Sequence, residues 1–400
     1  MGNDLHQPAG SRARRRHAPI RFRVFCLVLV AAGLPALSWG QEPDRKIELH
    51  GFGGWAYGET DGNRYLLADG EGNYDTAELS LNVTANPYDR LWVVAQVHLE
   101  RDRDDETVEL DYGFVEWRFS DALRLRFGRV KHPYGLYGET YDLGTIRPFY
   151  LLPQSVYGKV GTTSKNYNGV GLRGTRFFDR WELQYDLYFG QLQNAVQFQR
   201  FDITADDFEP TSELTSTVED AVGTRLHFVT PVNGLSFGVS GYYGEQGLDF
   251  VLEALGFEGY RRNYGAHLEY NADRWLLRAE YANLVIEDFV DYDSYYLELG
   301  YHLTDHWQVA ARFDSFESKR LTGGPAGGPE WLRQIQRSED LGFALNYWFR
   351  PDFVLRLNYH QVDGNRFAFP DTPDEILGVL INDNLDTETD VLIFGAHFSF

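Results

Sequence analysis

Apolar and polar positions alternate with a period of two along most of this chain. In residues 338–349, Leu341, Phe343, Leu345, Tyr347 and Phe349 alternate with Gly342, Ala344, Asn346 and Trp348. After Arg350-Pro351-Asp352, the residues Phe353, Leu355, Leu357 and Tyr359 alternate with Arg356, Asn358 and His360. Successive side chains of a strand point to opposite faces, so each stretch predicts a strand with one apolar, aromatic face and one polar or small face. The pattern recurs in residues 77–85, 91–99, 181–189 and 307–313. It also closes the chain: Leu392, Phe394, Ala396, Phe398 and Phe400 share a face opposite Gly395, His397 and Ser399.

Between the strands the connections fall into two classes. Turns rich in Asn, Pro, Asp and Gly are predicted near 86–90, 120–122, 179–180, 230–234, 271–274, 304–306 and 350–352. Longer, mostly acidic or glycine-rich loops are predicted near 59–74, 102–106, 132–166, 192–216, 245–257, 288–291, 317–337 and 364–387. Long and short connections alternate along the chain. That arrangement predicts about sixteen antiparallel strands, an even number, in an all-β transmembrane barrel. A soluble sandwich would have to hide all these aromatic faces in one core.

The N-terminus points the same way. Arg12, Arg14, Arg15, Arg16, Arg21 and Arg23 precede an apolar run at 24–37 and the small residues Ser38 and Gly40. Residues 1–40 are therefore expected to be a cleaved secretory signal, with residues 41–400 forming the barrel. The run is shorter than the roughly 20 residues a membrane-spanning helix needs. Cys26 is the one cysteine and lies in that signal without the small residues of a lipoprotein box, so the mature chain is expected to carry no disulfide and no thiolate metal site. Removing residues 1–40 takes away six arginines and Asp4. It leaves 31 basic and 58 acidic residues, and the net charge moves from −22 to −27. Such a surface argues against nucleic acid as a partner. Trp and Tyr near the short turns (Tyr88, Trp92, Trp117, Trp181, Trp275, Trp307, Trp348) suit a girdle at headgroup depth, some of them facing inward instead.

No nucleophile motif and no helical His–Glu pair occurs, so no catalytic residue, metal site or cofactor is expected. Acidic runs such as Asp104-Asp105-Glu106 and Asp206-Asp207 read as solvated loops, or as sites for divalent cations among lipopolysaccharide phosphates. The third loop, 132–166, is different. It is long, aromatic and braced by Pro133, Pro148 and Pro153. An apolar loop is tucked against something, and in a wide barrel the available place is the lumen. Tyr134, Glu139, Asp142, Arg147 and Lys159 are then candidates for a constriction. Arg124, Arg126, Arg173, Arg225, Arg278, Arg312 and Arg356 occupy polar strand positions and are expected to line the interior. A charge on the lipid face would cost about 2–4 kcal/mol at the midplane. Glu78, Glu116, Glu182, Asp186, Glu269, Glu280 and Glu298 share that inward parity, and rows of opposite charge in a pore select ions.

The stretch Phe127-Gly128-Arg129-Val130-Lys131-His132-Pro133-Tyr134-Gly135-Leu136-Tyr137, continuing to Arg147-Pro148 and Leu152-Pro153-Gln154-Ser155, resembles the third-loop region of Gram-negative porins. It is similar to the group that includes the phosphate-selective porins. The resemblance implies a sixteen-stranded, homotrimeric barrel with an inward third loop. A phosphate specificity does not carry over, because no dense lysine cluster can be placed. The strand ending on Phe400 resembles the sorting signal of outer-membrane barrel proteins, which implies the barrel-assembly machinery as a partner. The expected function is passive diffusion of small hydrophilic solutes across an outer membrane of lipid and lipopolysaccharide. The alternatives are an anion-specific channel, which would show saturable conductance, a barrel enzyme, which would need a Ser or acid cluster at one rim, and a structural barrel with a plugged lumen. A transporter of ~22 strands with a plug exceeds this length.

Overall fold

The structure is a computed structural model and describes residues 47–102, 105–158, 162–202, 207–247, 259–287, 290–321, 334, 336–369 and 386–400. Lys159, Asp104, Asp206 and the glycine-rich run at 323–328 lie outside the described residues. Strands follow in the order β1 (Ile47–Thr60), β2 (Arg64–Tyr65), β3 (Asn73–Tyr88), β4 (Leu91–Asp102), β5 (Asp105–Ser120), β6 (Leu123–Lys131), β7 (Asn166–Phe178), β8 (Trp181–Asp202) and β9 (Asp207–Val229). Then come β10 (Leu235–Gly247), β11 (Tyr260–Ala272), β12 (Trp275–Ile286), β13 (Val290–His302), β14 (Trp307–Leu321), β15 (Arg337–Arg350), β16 (Phe353–Asp363), β17 (Ala368–Phe369) and β18 (Glu388–Ser399). All but β2 and β17 form one closed antiparallel barrel of sixteen strands. No helix among the described residues is long and apolar enough to cross a membrane.

The alternation works with its apolar face outward. Along β15, Leu341, Phe343 and Leu345 are exposed, while Ala344 and Asn346 are buried. The C-terminal strand repeats this, with Leu392, Phe394 and Phe398 outside and Val391, Ile393 and His397 inside. Outward apolar rows on strand after strand far exceed the few hundred Å² that a soluble monomer leaves exposed. They suit lipid, where a closed barrel also satisfies every backbone group without an edge. Trp117, Trp181, Trp275 and Trp307 lie outward near the short turns. Trp92 and Trp348 turn inward, with the guanidinium groups of Arg118 and Arg356 at 4.0 and 5.8 Å from their rings.

The short turns fall where the sequence predicts them. The long connections need correction. Asp102 pairs with Asp105, so loop 2 is a tight reversal. The expected loop at 192–216 is instead paired strand, running from Leu192↔Val218 up to Asp202↔Asp207. β8 and β9 are therefore 22 and 23 residues long. Its residues 211–217, Thr-Ser-Glu-Leu-Thr-Ser-Thr, are rich in the β-branched type that favours strand. Polar residues at both parities disguise the strand in the sequence. Loops 1 and 8 hold β2 and β17, which pair with each other. Tyr65, Leu67, Ala68, Phe367 and Ala368 there form one apolar cluster with the wall residues Phe316, Val362, Val391 and Ile393 and with Tyr150 of loop 3.

β18 closes the barrel against β1, in register from Phe52↔Ser399 to Thr60↔Val391. Gly51 and Phe400 exchange backbone hydrogen bonds of 3.0 and 2.8 Å, and the Phe400 ring covers Gly51, where a side chain would collide with it. Each such bond contributes about 0.5–1.5 kcal/mol net. Deleting Phe400, or replacing it with Asp, is expected to lower the yield of heat-modifiable barrel several-fold. A wild-type yield from the deleted chain would contradict that.

Candidate pore constriction

Loop 3, residues 132–165, leaves β6 and turns into the barrel. Pro133 and the left-handed Gly135 (φ 54°) make the bend, and a side chain at 135 would strike Glu280 and Tyr157. Two short 3-10 turns, Gly138–Thr140 and Gly144–Ile146, and one helical turn, Gln154–Tyr157, give the loop a fixed shape. Its aromatic residues fold back on one another and onto the wall: Tyr134, Tyr137, Leu152, Val156 and Tyr157 pack with Ala282 and Tyr296.

The wall holds this loop by polar contacts on many strands. Tyr134 Oη donates to Asn263 Oδ1 at 2.5 Å, and Tyr137 Oη donates to Glu298 at 2.9 Å. Tyr157 Oη donates to Glu280 at 2.7 Å, and both the backbone N–H and the hydroxyl of Ser155 donate to Asp314. Asn358 Oδ1 accepts from the Tyr150 N–H at 2.7 Å, and Asn346 Nδ2 donates to the Pro148 carbonyl at 2.9 Å. A loop that enters a barrel carries backbone groups away from water, and these contacts satisfy them.

The seven inward arginines sort into two sets. Arg278, Arg312 and Arg356 are buried beneath loop 3 and donate to its carbonyls: Ile146 at 3.2 Å, Leu151 at 2.8 Å, and Gly144 at 2.7 Å together with Arg147. Arg124, Arg126 and Arg173 stay partly exposed on the side of the short turns and form one patch with Arg118 and the buried Arg225. Arg126 and Arg118 pair with Glu116 at 2.7 and 2.5 Å. Arg173, Arg126 and Arg225 converge on Glu139 of loop 3, the last two at 3.5 and 3.4 Å.

Among the described candidate constriction residues, Glu139 is the one with its charge partly open to the lumen; its side chain is 22% exposed. Tyr134 is buried against the wall. Asp142 is buried and takes the Lys131 ammonium at 2.5 Å and Gln96 at 3.1 Å. Arg147 is buried too, donating to the Tyr141 carbonyl at 3.0 Å. Lys159 lies outside the described residues. The structure thus brings Glu139 to the arginine patch and gives Asp142 and Arg147 structural partners. Neutral amides also take part, Asn263, Asn346 and Asn358 among them. Their inward parity was visible in the sequence, but charge alone does not single them out.

Burial by itself would raise the Glu139 carboxyl. The guanidinium groups of Arg173, Arg225 and Arg126 outweigh it and bring its pKa down to about 2. Burial likewise opposes ionised Asp142, and Lys131 and Lys165 hold its carboxyl well below the usual range. A carboxyl depressed below its unfolded value near ~4.3 stabilises the docked loop fully above that pH and loses its contribution as pH falls through about 2. Current noise in single-channel recordings is therefore expected to grow as pH is lowered from 5 towards 2, and to grow less in Glu139→Gln. A flat wild-type response over that range would count against this role for the two carboxylates.

Below loop 3, on the short-turn side, lies a cavity of about 550 Å³. Its lining includes His50, Phe52, Asn82, Gln96, Tyr112 and Ser399 from the wall and Leu143 from the loop. The opposite mouth is covered over β14–β18 and β1 by the cluster that loops 1 and 8 form with Tyr150.

No family model and no curated protein sequence matches the chain. Solved structures do match. OmpF of Salmonella typhi, in complex with daunomycin, aligns at TM-score 0.55 and 15% identity, over 89% of this chain and 98% of that one. An anion-selective porin from Comamonas acidovorans aligns at TM-score 0.56 and 11% identity, over 89% and 100%. The chain has the porin fold. The trimer form of OmpT, an outer membrane protein of Vibrio cholerae, aligns at 0.53 and 11%, over 89% and 99%. At such identities the likeness to these porin-fold barrels concerns fold, and the residues of the lumen have to be read from this chain alone.

Proposed function

We propose that this porin-fold chain is an outer-membrane channel for passive diffusion of small hydrophilic solutes, and not an enzyme. One observation carries the proposal. A closed sixteen-stranded barrel with an apolar exterior holds its longest loop inside the lumen, against wall groups on strands from β4 to β18. Barrels of about this strand number enclose an aqueous channel, and an inward loop sets its width. The constriction is assigned to loop 3 with Glu139 at its charged edge, and the cavity beneath Leu143 is its short-turn vestibule. The protein is taken to work as a homotrimer in outer-membrane lipid and lipopolysaccharide, as the trimer form of the Vibrio cholerae relative suggests. Export would use residues 1–40 as a cleaved signal, and insertion would use the barrel-assembly machinery.

Planar-bilayer recording tests this. Purified protein should produce discrete conductance steps that rise about linearly with salt. Conductance that saturates with one anion would favour the second reading, an anion-specific channel, which the arginine patch supports. A protein that inserts and never conducts would be a structural barrel.

A further inference from the structure

The patch around Glu139 is built like a recognition site with its own occupant. Arg118, Arg124, Arg126, Arg173 and Arg225 face Glu116, Asp121, Asp186 and Glu139, five guanidinium groups against four carboxylates, so positive charge is in slight excess even with the loop in place. Glu116 is committed to Arg118 and Arg126. Asp186 stands 3.7 and 4.0 Å from Arg173 and Arg225. Glu139 therefore supplies the carboxylate on which three guanidinium groups converge. Its seat is uneven: Arg173 donates closely to one oxygen, while Arg126 and Arg225 stand at 3.5 and 3.4 Å, beyond the roughly 2.7–2.9 Å of a well-seated charged pair. Arg225 Nε, buried beside it, has no hydrogen-bond partner among the described residues. The guanidinium fork is planar and takes a carboxylate by two parallel bonds. Here Arg225 reaches Glu139 through Nη1 alone, and its Nε on the other side of the guanidinium is left without a partner among the described residues.

We propose that this arginine patch recognises small monocarboxylates, and that Glu139 is a tethered competitor which a permeating carboxylate displaces. This rests on the channel function above and names the solute class that its constriction favours. A tethered group acts at an effective concentration in the millimolar range or higher, so an external carboxylate has to outcompete it before it lingers. Asp186 decides between anions. Its Oδ2 is buried without a hydrogen-bond partner and faces the same guanidinium groups. A ligand with a second negative charge, such as phosphate, would meet that oxygen. A monoanion is repelled about half as strongly at the same distance.

The test compares wild type, Glu139→Gln and Glu139→Gln with Arg173→Gln, using propionate and inorganic phosphate as probes. In bilayers bathed in KCl, the propionate concentration that halves the chloride current should fall at least tenfold in Glu139→Gln. It should return towards the wild-type value when Arg173 is also replaced. Equal half-blocking concentrations in wild type and Glu139→Gln would overturn the proposal. So would phosphate blocking as well as propionate. So would a Glu139→Gln channel that merely conducts all ions better with no propionate block, because Glu139 would then only hold the loop. Calorimetric titration of the solubilised barrels with propionate reads the same site without current. A silent bilayer with tight, Arg173-dependent propionate binding overturns the channel and keeps the site. Currents without such binding do the reverse.

Discussion

Replacing Arg312 and Arg356 together by Met is expected to raise single-channel conductance several-fold, with frequent excursions between levels. Both guanidinium groups are almost wholly buried; their hydrogen bonds to loop 3 go to its backbone carbonyls, and Arg312 also lies over the Phe149 ring at 4.3 Å. Arg356 serves Gly144 and Arg147, and Arg312 serves Leu151. Arg356 also meets His397 Nδ1 at 2.5 Å, which fixes its direction. A buried carbonyl left without its donor costs about 1–3 kcal/mol. Three such losses amount to a large bias against the docked loop, since each ~1.4 kcal/mol is tenfold in an equilibrium constant. The barrel itself is held by its ladders and should still form. The check is conductance per step alongside heat modifiability. A variant that folds and conducts in wild-type steps would show that the aromatic contacts of loop 3 hold it without these arginines.

The second large effect concerns Lys131, the last residue of β6. Its ammonium lies 2.7 Å from Asp111 on β5 and 2.5 Å from Asp142 on loop 3, and all three are buried. Removing one partner of a buried ion pair leaves an uncompensated charge and costs about 3–5 kcal/mol. Lys131→Met leaves two carboxylates facing each other. It is expected to lower the thermal midpoint clearly and to shift the reversal potential in a salt gradient towards cations. Adding Asp142→Asn should recover most of the stability, because the coupling between the two residues is what the single change destroys. If the double variant is as unstable as the sum of the two single ones, the residues are not coupled and the assignment fails.

The strands, the short turns, the inward parity of the arginines and the inward course of loop 3 were legible because a period of two shows directly which face a residue takes. Depth and company were not. Parity places Arg126 and Arg356 on the same surface, yet one is partly open to solvent while the other lies under loop 3, and this depends on where the loop comes to rest. Arg147 and Glu139 look equivalent as charges on one loop. The structure buries the first, which donates to the Tyr141 carbonyl, and sends the second to three arginines. The extended hairpin of β8 and β9 was hidden because polar residues at both parities remove the alternation signal. The β2–β17 pairing was hidden because its partners lie some three hundred residues apart.

Apart from a few such as Gln96, Arg126 and Lys131, the wall groups that pin loop 3 are made later in the chain than the loop itself, among them Ser240, Asn263, Glu280, Glu298, Arg312, Asn346, Arg356 and Asn358. The loop's seat is therefore complete only once the last strands arrive and β18 has met β1. Narrowing is a late event of biogenesis, downstream of closure. A chain stalled short of its final hairpin would present the membrane with an unfiltered breach, so the same contacts that tune permeation also certify a finished barrel.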